Sequence, residues 1–254
     1  MLNVTVFQSA SDRRCDWVKH CLETVRGWAV RQGFHYRFLG DELFDSVEPA
    51  LRQKLAGRTP IIADIARLDL LASHLAQVGG VAVWVDSDTL CLDLDWRPDL
   101  DVVAGFGEEC WIQPDDAGRF RSFRTPHNAF IAFNANSPVL PFLRYLARSI
   151  IERADATHIA PQMIGPKLIK SLNSLAAFTL YERAGALSPA LQIELAGTPG
   201  EAVACYRRTG RPVPAMINLC HSLQTGPELM QSLDRLLAEP QRFQVLAGTD
   251  SGKF

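Results

Sequence analysis

A short apolar run that ends in two aspartates constrains the fold of this chain more than any other feature. The run Val81–Val85 is followed directly by Asp86, Ser87 and Asp88. A continuous apolar run is typical of a strand covered on both faces, which predicts a central strand of an α/β sheet. Residues i and i+2 of a strand point to the same side, so both carboxylates can face one point. Ligands of open α/β sheets bind beyond the carboxyl ends of the strands, so we expect a binding site there.

The chemistry of the aspartate pair indicates a metal ion. Two close carboxylates repel each other unless a cation lies between them or one is protonated. Oxygen ligands without nearby cysteine or histidine favour Mg²⁺ or Mn²⁺, and such an ion completes its shell with water and substrate phosphates. Asp86 and Asp88 therefore predict a metal–phosphate site. Short D-x-D matches are common, and the simpler alternative is that the two residues only cap the strand.

The order of the predicted elements indicates an α/β protein. A strand at residues 2–7, a helix ending at Gly33 and a strand at 34–39 make a β-α-β unit, whose right-handed crossover makes the strands parallel. No glycine-rich phosphate loop is present, so neither a Rossmann cofactor nor a P-loop is indicated. We expect one domain over residues 1–248 and a flexible tail at 249–254.

Composition narrows the class of protein and its compartment. The formal charge of −2 argues against a partner such as nucleic acid or an anionic membrane surface. The six cysteines include no C-x-x-C pair, which argues against a zinc cluster and favours reduced, buried thiols. No signal-peptide pattern or membrane-length apolar run is present, so a cytoplasmic location is expected. Peripheral membrane contact and the oligomeric state stay open.

Residues 64–88 carry a recognisable combination of motifs. D-x-x-R is followed by a helix, G-G, an apolar run and D-x-D, and this order resembles the sugar-binding region of DXD-containing glycosyltransferases. That group includes capsular-polysaccharide transferases, yeast-type α-mannosyltransferases and clostridial glucosylating toxins. The resemblance implies the GT-A fold, which is a Rossmann-like, mostly parallel sheet flanked by helices with a small antiparallel addition. It also implies an enzyme of polysaccharide biosynthesis, with a UDP- or GDP-sugar donor and a saccharide or other hydroxyl acceptor.

The resemblance assigns roles to the residues of this segment. Asp86 and Asp88 match the pair that holds Mn²⁺ (or Mg²⁺) on the donor diphosphate, with Ser87 beside the substrate. Asp64 and Arg67 match the pair that hydrogen-bonds the sugar, so Arg67, Asp86 and Asp88 are the expected catalytic residues. The helix after Arg67 is longer than in the family by about one turn. The alternative for Asp64 and Arg67 is an ordinary surface ion pair.

Two further segments match regions of the same transferases that bind substrate. Phe7 and Gln8, in a loop expected after the first strand, match the region that lies against the nucleotide base. Asn128, expected at the head of an apolar strand, matches an N-A-F-I-A segment and would bond a sugar hydroxyl. The alternative for Asn128 is a hydrogen bond to its own turn.

The later part of the chain supplies the remaining matches. Gly165 and Pro166 match a T-G-P helix start that contacts substrate, with Ile164 where threonine is usual. His221 follows an apolar run, in the place where many GT-A enzymes have a further metal ligand. A lone histidine after a strand is also compatible with a purely structural role.

Three functions fit these residues to different degrees. The first is the metal-dependent glycosyltransferase, for which the family implies retention of the anomeric configuration, although no residue identifies itself as a nucleophile. The second is a haloacid-dehalogenase-type Mg²⁺-dependent phosphohydrolase, which also begins with an apolar strand and D-x-D but would need the Asp115-Asp116 pair. The third is an inactive sugar-nucleotide-binding subunit that keeps the fold without turnover.

Overall fold

The protein is a mixed α/β structure with nine strands and eight α-helices in the part described by the computed structural model, which covers residues 2–155, 159–160 and 162–247. The strands are β1 (Val4–Ser9), β2 (His35–Leu39), β3 (Val81–Val85), β4 (Thr89–Cys91), β5 (Gly105–Pro114), β6 (Phe120–Asn134), β7 (Thr179–Tyr181), β8 (Ala184–Ala186) and β9 (Met216–Asn218). The helices are α1 (Asp16–Gln32), α2 (Pro49–Lys54), α3 (Thr59–Val78), α4 (Val139–Arg153), α5 (Pro166–Ala176), α6 (Pro189–Ala196), α7 (Glu201–Arg208) and α8 (Pro227–Ala238). Short 3-10 segments lie at Asp41–Ser46, His221–Leu223 and Pro240–Leu246.

The central sheet has six strands in the order β2-β1-β3-β6-β5-β7. β1 pairs in parallel with β2 and β3, and β5 pairs in parallel with β7. β6 runs antiparallel to both of its neighbours, β3 and β5, so it opposes the direction of the other strands. The mostly parallel sheet flanked by helices that the sequence predicted is therefore confirmed.

β3 is buried on both faces, which explains its unbroken apolar sequence. Ala82 and Trp84 lie in the apolar cluster that α3, α4 and α5 form on one face of the sheet. Val83 and Val85 lie in the cluster on the other face, together with Trp28 of α1. Alternate side chains of a strand point to opposite faces, so a strand covered on both sides needs apolar residues at every position. The carboxyl end of β3 is thereby fixed in the middle of the sheet.

The double glycine before β3 lets α3 turn directly into the strand. Gly79 and Gly80 have φ angles of 70° and 74°, in the left-handed region that favours glycine. A Cβ atom at Gly80 would overlap the backbone carbonyl oxygen of Asn3, which accepts a hydrogen bond from the N–H of Val81 at 2.8 Å. This tight connection sets the position of Asp86 relative to α3.

A second, smaller sheet begins immediately after the two aspartates. Its order is β4-β9-β8, with β4 antiparallel and β8 parallel to β9. Asp86 and Asp88 thus lie where the chain passes from the first sheet to the second. Beyond residue 107, β5 pairs with β6 alone among the described residues, and we call residues 108–126 the hairpin arm. Together these parts match the small antiparallel addition that was expected.

Several predicted boundaries differ from the structure. The sequence of residues 101–106 (DVVAGF) favours a strand, but β5 begins only at Gly105, because the preceding residues form a loop in which Asp99 caps the backbone of Asp101. The loop expected around Phe7 and Gln8 is part of β1. The tail expected at 249–254 lies outside the described residues. Among the residues that are described, no helix is long and apolar enough to cross a membrane.

Candidate active site

Asp86 is held in place at the end of β3 through its side chain and its backbone. Its Oδ1 accepts a hydrogen bond from the indole Nε1 of Trp84 at 2.6 Å and lies 3.1 Å from Nη1 of Arg67. Its backbone N–H donates to the carbonyl oxygen of Ala129 in β6 at 2.8 Å. Within the described part of the chain, Oδ2 makes no hydrogen bond. One oxygen is therefore anchored while the other is available to a ligand.

Asp64 and Arg67 are buried beside Asp86, with only 6% and 7% of their surfaces exposed. Nη2 of Arg67 lies 3.2 Å from Oδ1 of Asp64, and Nη1 donates to the backbone oxygen of Asn128 at 2.8 Å. The guanidinium also packs over the ring of Trp84. The interpretation as a surface ion pair is therefore wrong. The long α3 still directs both side chains to the end of β3.

Asn128 was predicted at the head of a strand, but it lies within β6. The register of β6 against β5 shifts between Phe106 and Gly107, so residues 128–130 form a bulge. Bulges redirect side chains, and here the Nδ2 of Asn128 donates to Oδ1 of Asp64 at 2.7 Å. The alternative of a hydrogen bond to its own turn is wrong. Asn128 instead joins β6 to α3.

Gly165 packs against one side of this cluster, where there is no room for a side chain. A Cβ atom there would come within 2.7 Å of both Nδ2 of Asn128 and Oδ2 of Asp64. Pro166 starts α5 and lines the adjoining cleft, whereas Ile164 is buried in the core. The substrate contacts predicted for Gly165 and Pro166 stay predictions, but the need for glycine has a direct steric reason.

Asp88 connects β4 to the end of β9. Its Oδ1 accepts from Nδ2 of Asn218 at 2.6 Å, and its Oδ2 accepts from the backbone N–H of His221 at 2.8 Å. Burial, and then the nearby charge of Asp86, raise the pKa of the Asp88 carboxyl above its ordinary value. The carboxylate form of Asp88 would be favoured by a cation in the cleft.

His221 contacts Asp88 through its backbone only. Its imidazole ring stacks on Trp17, with 5.3 Å between the ring centroids and 26° between the ring planes. The side chain is exposed at the surface of the 3-10 segment. The role of His221 as a metal ligand stays a prediction, and it would need the ring to leave Trp17.

Phe7 and Gln8 lie behind the site and not in it. The ring of Phe7 is fully buried and contacts His74 of α3 edge-on at 5.0 Å, so it presents no surface to the nucleotide base that the resemblance placed beside this segment. Gln8 is also buried, and its Nε2 donates to the backbone oxygen of Asp86 at 3.2 Å while its Oε1 accepts from the hydroxyl of Tyr36. The side chain of Gln8 therefore holds the backbone at the end of β3 in place through this hydrogen bond.

A cleft of about 630 Å³ opens over these residues. Asp64, Arg67, Asp86, Asp88 and Asn128 all line it. Its other polar and charged lining residues are Glu109, Gln113, Thr125, His127, Gln162, Lys170, Asn218 and Ser222. Mixed linings of this kind, with a few converging polar groups, are typical of small-molecule sites.

Two carboxyl groups in the cleft have pKa values raised towards neutrality. Burial raises the pKa of Asp64 to about 6, the charge of Asp86 adds to the increase, and Arg67 and Asn128 oppose it. Burial also raises the pKa of Glu109 to about 7, against the opposing charge of Lys170. Perturbed carboxyl groups that share a cleft are characteristic of functional sites.

Comparison with known proteins supports the fold. No protein-family model matches the sequence, and no curated protein matches it either. Among solved structures, a glycosyltransferase involved in the glycosylation of the major capsid of PBCV-1 matches with a TM-score of 0.50 and 10% identity, over 92% of this chain and 98% of that chain. The chain has a glycosyltransferase fold. This agrees with the fold that the sequence resemblance implied.

Two other glycosyltransferase structures match with lower scores. The galactosyltransferase LgtC, in complex with donor and acceptor sugar analogs, has a TM-score of 0.45 and 15% identity, over 98% of this chain and 97% of that chain. The PaToxG glycosyltransferase has a TM-score of 0.36 and 14% identity, over 97% and 87%. The glycosyltransferase fold is therefore assigned from the capsid-glycosylating enzyme alone.

The donor chemistry of the cleft fits a hard divalent cation. Among the described residues, Asp86 offers a carboxylate oxygen that has no hydrogen-bond partner, and Asp88 is a half-buried carboxylate whose oxygens each accept one hydrogen bond and retain a lone pair. In the described part of the chain, however, no three His, Cys, Asp or Glu side chains are grouped as a metal site. Asp86 and Asp88 thus fit an ion that takes its other ligands from water and phosphate.

Several residues that line the cleft carry no motif that would have predicted them from the sequence. Asn218, which anchors Asp88, lies within the apolar run that precedes His221, and it was not singled out there. His127 is buried, which lowers its pKa, and it accepts from the N–H of Ala129 while Nε2 faces the carbonyl oxygen of Ala184. Glu109 and Trp111 are two residues apart in β5 and therefore share one face of the strand. This spacing was a sequence signal for a polar and aromatic surface at the cleft.

The additional acidic pair that a phosphohydrolase would need does not join the site. Asp115 lies in the turn of the hairpin arm, where it pairs with Arg119 and Arg121 at 3.2 Å. Neither Asp115 nor Asp116 is among the residues that line the cleft. The geometry therefore gives the phosphohydrolase hypothesis no support.

Proposed function

We propose that this protein is a metal-dependent glycosyltransferase that moves a sugar from a UDP- or GDP-sugar to a hydroxyl group of a saccharide or other acceptor. One observation carries the proposal: Asp64, Arg67, Asp86 and Asn128 form a single hydrogen-bonded cluster at the carboxyl end of β3, in which Asp64 and Arg67 are buried and Asp86 and Asn128 are half-buried. These residues come from three separate segments, and the motif resemblance singled out all of them. The fold alone would not suffice, since one fold hosts many functions.

The two aspartates supply the donor-binding chemistry in this proposal. Asp86 and Asp88 would hold a Mn²⁺ or Mg²⁺ ion, with His221 as the expected further ligand, and such an ion supplies positive charge to a diphosphate leaving group. Arg67 orients the free oxygen of Asp86, because two of its nitrogens contact Asp86, Asp64 and the backbone of Asn128. Arg67 therefore acts mainly by positioning carboxylates.

Asp64 is the group that best fits the sugar of the donor. Its Oδ1 is occupied by Asn128 and Arg67, whereas Oδ2 faces the small residue Gly165 at the edge of the cleft. A sugar hydroxyl can approach Oδ2 and donate a hydrogen bond to it. Gly165 allows a close approach there, and Pro166 shapes the adjoining wall. The proposed transfer keeps the retention of anomeric configuration implied by the sequence resemblance.

The proposed setting is the cytoplasm, within polysaccharide biosynthesis. All six cysteines are free, and four of them are buried. Free thiols in this number are typical of reducing compartments, where nucleotide sugars are also available. This part of the proposal rests on the cysteines and on the motif resemblance together.

Thermal melting with nucleotides tests the proposed function. UDP and GDP are added with and without Mn²⁺ to the wild type and to Asp86→Asn. The asparagine carbonyl can still accept from Trp84 and Arg67, so this variant preserves the cluster but removes the anionic oxygen. The control is Asp101→Asn, which changes an exposed aspartate outside the cleft. We expect one nucleotide to stabilise the wild type and the control only with Mn²⁺, by about 2.7 kcal/mol at a hundredfold excess over Kd.

The same experiment separates the alternative functions. Stabilisation by phosphate analogues with Mg²⁺, but by neither nucleotide, would favour the phosphohydrolase. Metal-dependent stabilisation by a nucleotide without turnover of any UDP- or GDP-sugar would favour the inactive binding subunit. Equal stabilisation of the wild type and Asp86→Asn would contradict the assignment of the site itself.

A further inference from the structure

The hairpin arm presents two aromatic side chains to the cleft that the proposed donor chemistry does not use. Trp111 of β5 and Phe123 of β6 lie directly opposite each other across the arm, and both line the cleft. Phe123 is 50% exposed. The other four tryptophans of the chain are buried, so Trp111 is exceptional among them. Large aromatic groups that stay open in a polar cleft indicate a ligand that covers them.

Polar groups surround this aromatic pair on the same face of the arm. Glu109 and Thr125 are paired two residues nearer to the bulge of β6, and Gln113 lies on the far side of Trp111. The indole Nε1 of Trp111 donates to Oε1 of Gln113 at 3.1 Å, which fixes the orientation of the ring. The hydroxyl oxygen of Thr125 is buried and has no hydrogen-bond partner within the described chain. An unpaired hydroxyl in a cleft leaves a hydrogen bond for a ligand to make.

This combination matches the chemistry of a sugar ring. A pyranose has an apolar C–H face, which packs on aromatic rings, and a rim of hydroxyl groups, which bond carboxylate, amide and hydroxyl side chains. An acceptor with a long apolar chain would leave the carboxylate and the Thr125 hydroxyl without partners, at a cost in free energy. The arm therefore offers both parts of the surface that a saccharide requires.

We infer that the hairpin arm is the acceptor subsite and that it takes a saccharide, whose pyranose ring stacks on Trp111 and Phe123. Hydroxyl groups of the same ring bond Glu109, Gln113 and Thr125. The subsite is continuous with the cluster around Asp86, since one cleft holds both. The assignment of this subsite to the acceptor rests on the proposed function. It narrows the acceptor class from any hydroxyl compound to a saccharide.

Tryptophan fluorescence provides a direct test, because Trp111 is the tryptophan that is not buried. The probes are methyl α- and β-glycosides of glucose, galactose and mannose, titrated into the wild type and three variants. Phe123→Ala removes one ring of the aromatic pair and keeps Trp111, whose fluorescence is measured. Phe142→Ala is the matched control, because Phe142 is 49% exposed on α4 and lies outside the cleft. Trp111→Phe tests whether the signal comes from Trp111.

We expect at least one methyl glycoside to change the emission of the wild type and of Phe142→Ala with the same Kd. Phe123→Ala should raise that Kd at least tenfold, and Trp111→Phe should abolish the signal. The inference is overturned if no methyl glycoside changes the emission, or if Phe123→Ala binds as tightly as the wild type. A response to serine or tyrosine peptides in place of glycosides would also overturn it.

Failure of this inference can be told apart from failure of the proposed function. Nucleotide binding uses Asp86 and Asp88, so Phe123→Ala should keep the metal-dependent melting shift with UDP or GDP. If that shift is present and glycosides do not bind, the subsite is wrong while the transferase proposal stands. If glycosides bind through Trp111 but neither nucleotide shifts the melting of the wild type, the saccharide site stands and the donor assignment fails.

Discussion

Gly165 is the residue whose size most directly limits the site. Gly165→Ala places a methyl group against the Asp64 carboxylate and the Asn128 amide, so their hydrogen bond must lengthen. Overpacking of this kind costs about 1–3 kcal/mol of unfolding free energy. Urea denaturation of the wild type and the variant measures this loss.

A second glycine supplies the control for that prediction. Gly27 lies in α1, and the nearest heavy atom to a Cβ there is Cδ2 of Leu94 at 3.9 Å. Alanine is the better helix former, so Gly27→Ala should be neutral or stabilising by up to about 1 kcal/mol. An equal loss of stability in both variants would show that the Gly165 site has no special steric limit.

Glu109 makes the free energy of unfolding depend on pH. Burial raises its pKa to about 7 from an ordinary value of 4.5, so the folded state binds the proton more tightly than the unfolded chain. The stability contributed by the protonated group is fully present below pH 4.5 and is lost as the pH rises through 7.

The isosteric variant Glu109→Gln isolates this effect. With no carboxyl group to ionise, it should unfold with about 1–3 kcal/mol more free energy than the wild type at pH 8, a range that allows for partial solvent screening. At pH 4 the two proteins should be nearly equal in urea denaturation. Glu228→Gln, on an exposed part of α8, should show no such difference. Parallel pH profiles for wild type and Glu109→Gln would refute the expectation.

At the scale of elements, Arg67 joins α3, β3 and β6. Its guanidinium contacts Asp64, Asp86 and the backbone of Asn128, and all of these contacts are buried or partly buried. Removal of one partner of a buried ion pair costs about 3–5 kcal/mol, because the remaining charges are left unpaired. Arg67→Met should show this loss in urea denaturation at pH 8.

The loss should be smaller at pH 5 than at pH 8. Burial already raises the pKa of Asp64 to about 6, and without Arg67 the carboxyl is protonated and needs no cation at the lower pH. Arg31→Met is the matched control, since it breaks only an exposed pair with Asp95, which solvent screens, and its effect on stability should be small at both pH values. A pH-independent loss in Arg67→Met would contradict this electrostatic account.

Elements with local signals were predictable, whereas pairing across the sheet was not. The helix stop at Gly33, the proline at the start of α3 and the glycines before β3 all act through their own backbone preferences. The bulge that turns Asn128 towards Asp64 depends on the register of β6 against β5, which distant residues set. The strands β7 and β8 have three residues each and the helices α6 and α7 eight each, which is too short to show a clear hydrophobic period in the sequence.

For the whole molecule, the site follows from where two sheets meet. Asp86 ends a strand of the central sheet and Asp88 precedes β4 of the small sheet, to which Asn218 ties it. The position of both aspartates beyond a central strand was predictable, because they directly follow one apolar run in the sequence. The aromatic side of the cleft could not be predicted from the sequence. Trp111 and Phe123 line the cleft because of the pairing and position of the hairpin arm, which distant residues determine.

The release of nucleoside diphosphate from sugar nucleotides tests the central claim most directly. UDP-sugars and GDP-sugars are incubated with Mn²⁺ and the wild type, Asp86→Asn or Asp101→Asn, and free UDP or GDP is measured over time. We predict that the wild type and Asp101→Asn release one of the two nucleotides in a Mn²⁺-dependent reaction, and that Asp86→Asn is slower by at least a hundredfold. Release at equal rates by all three proteins, or no release from any donor, would contradict the account.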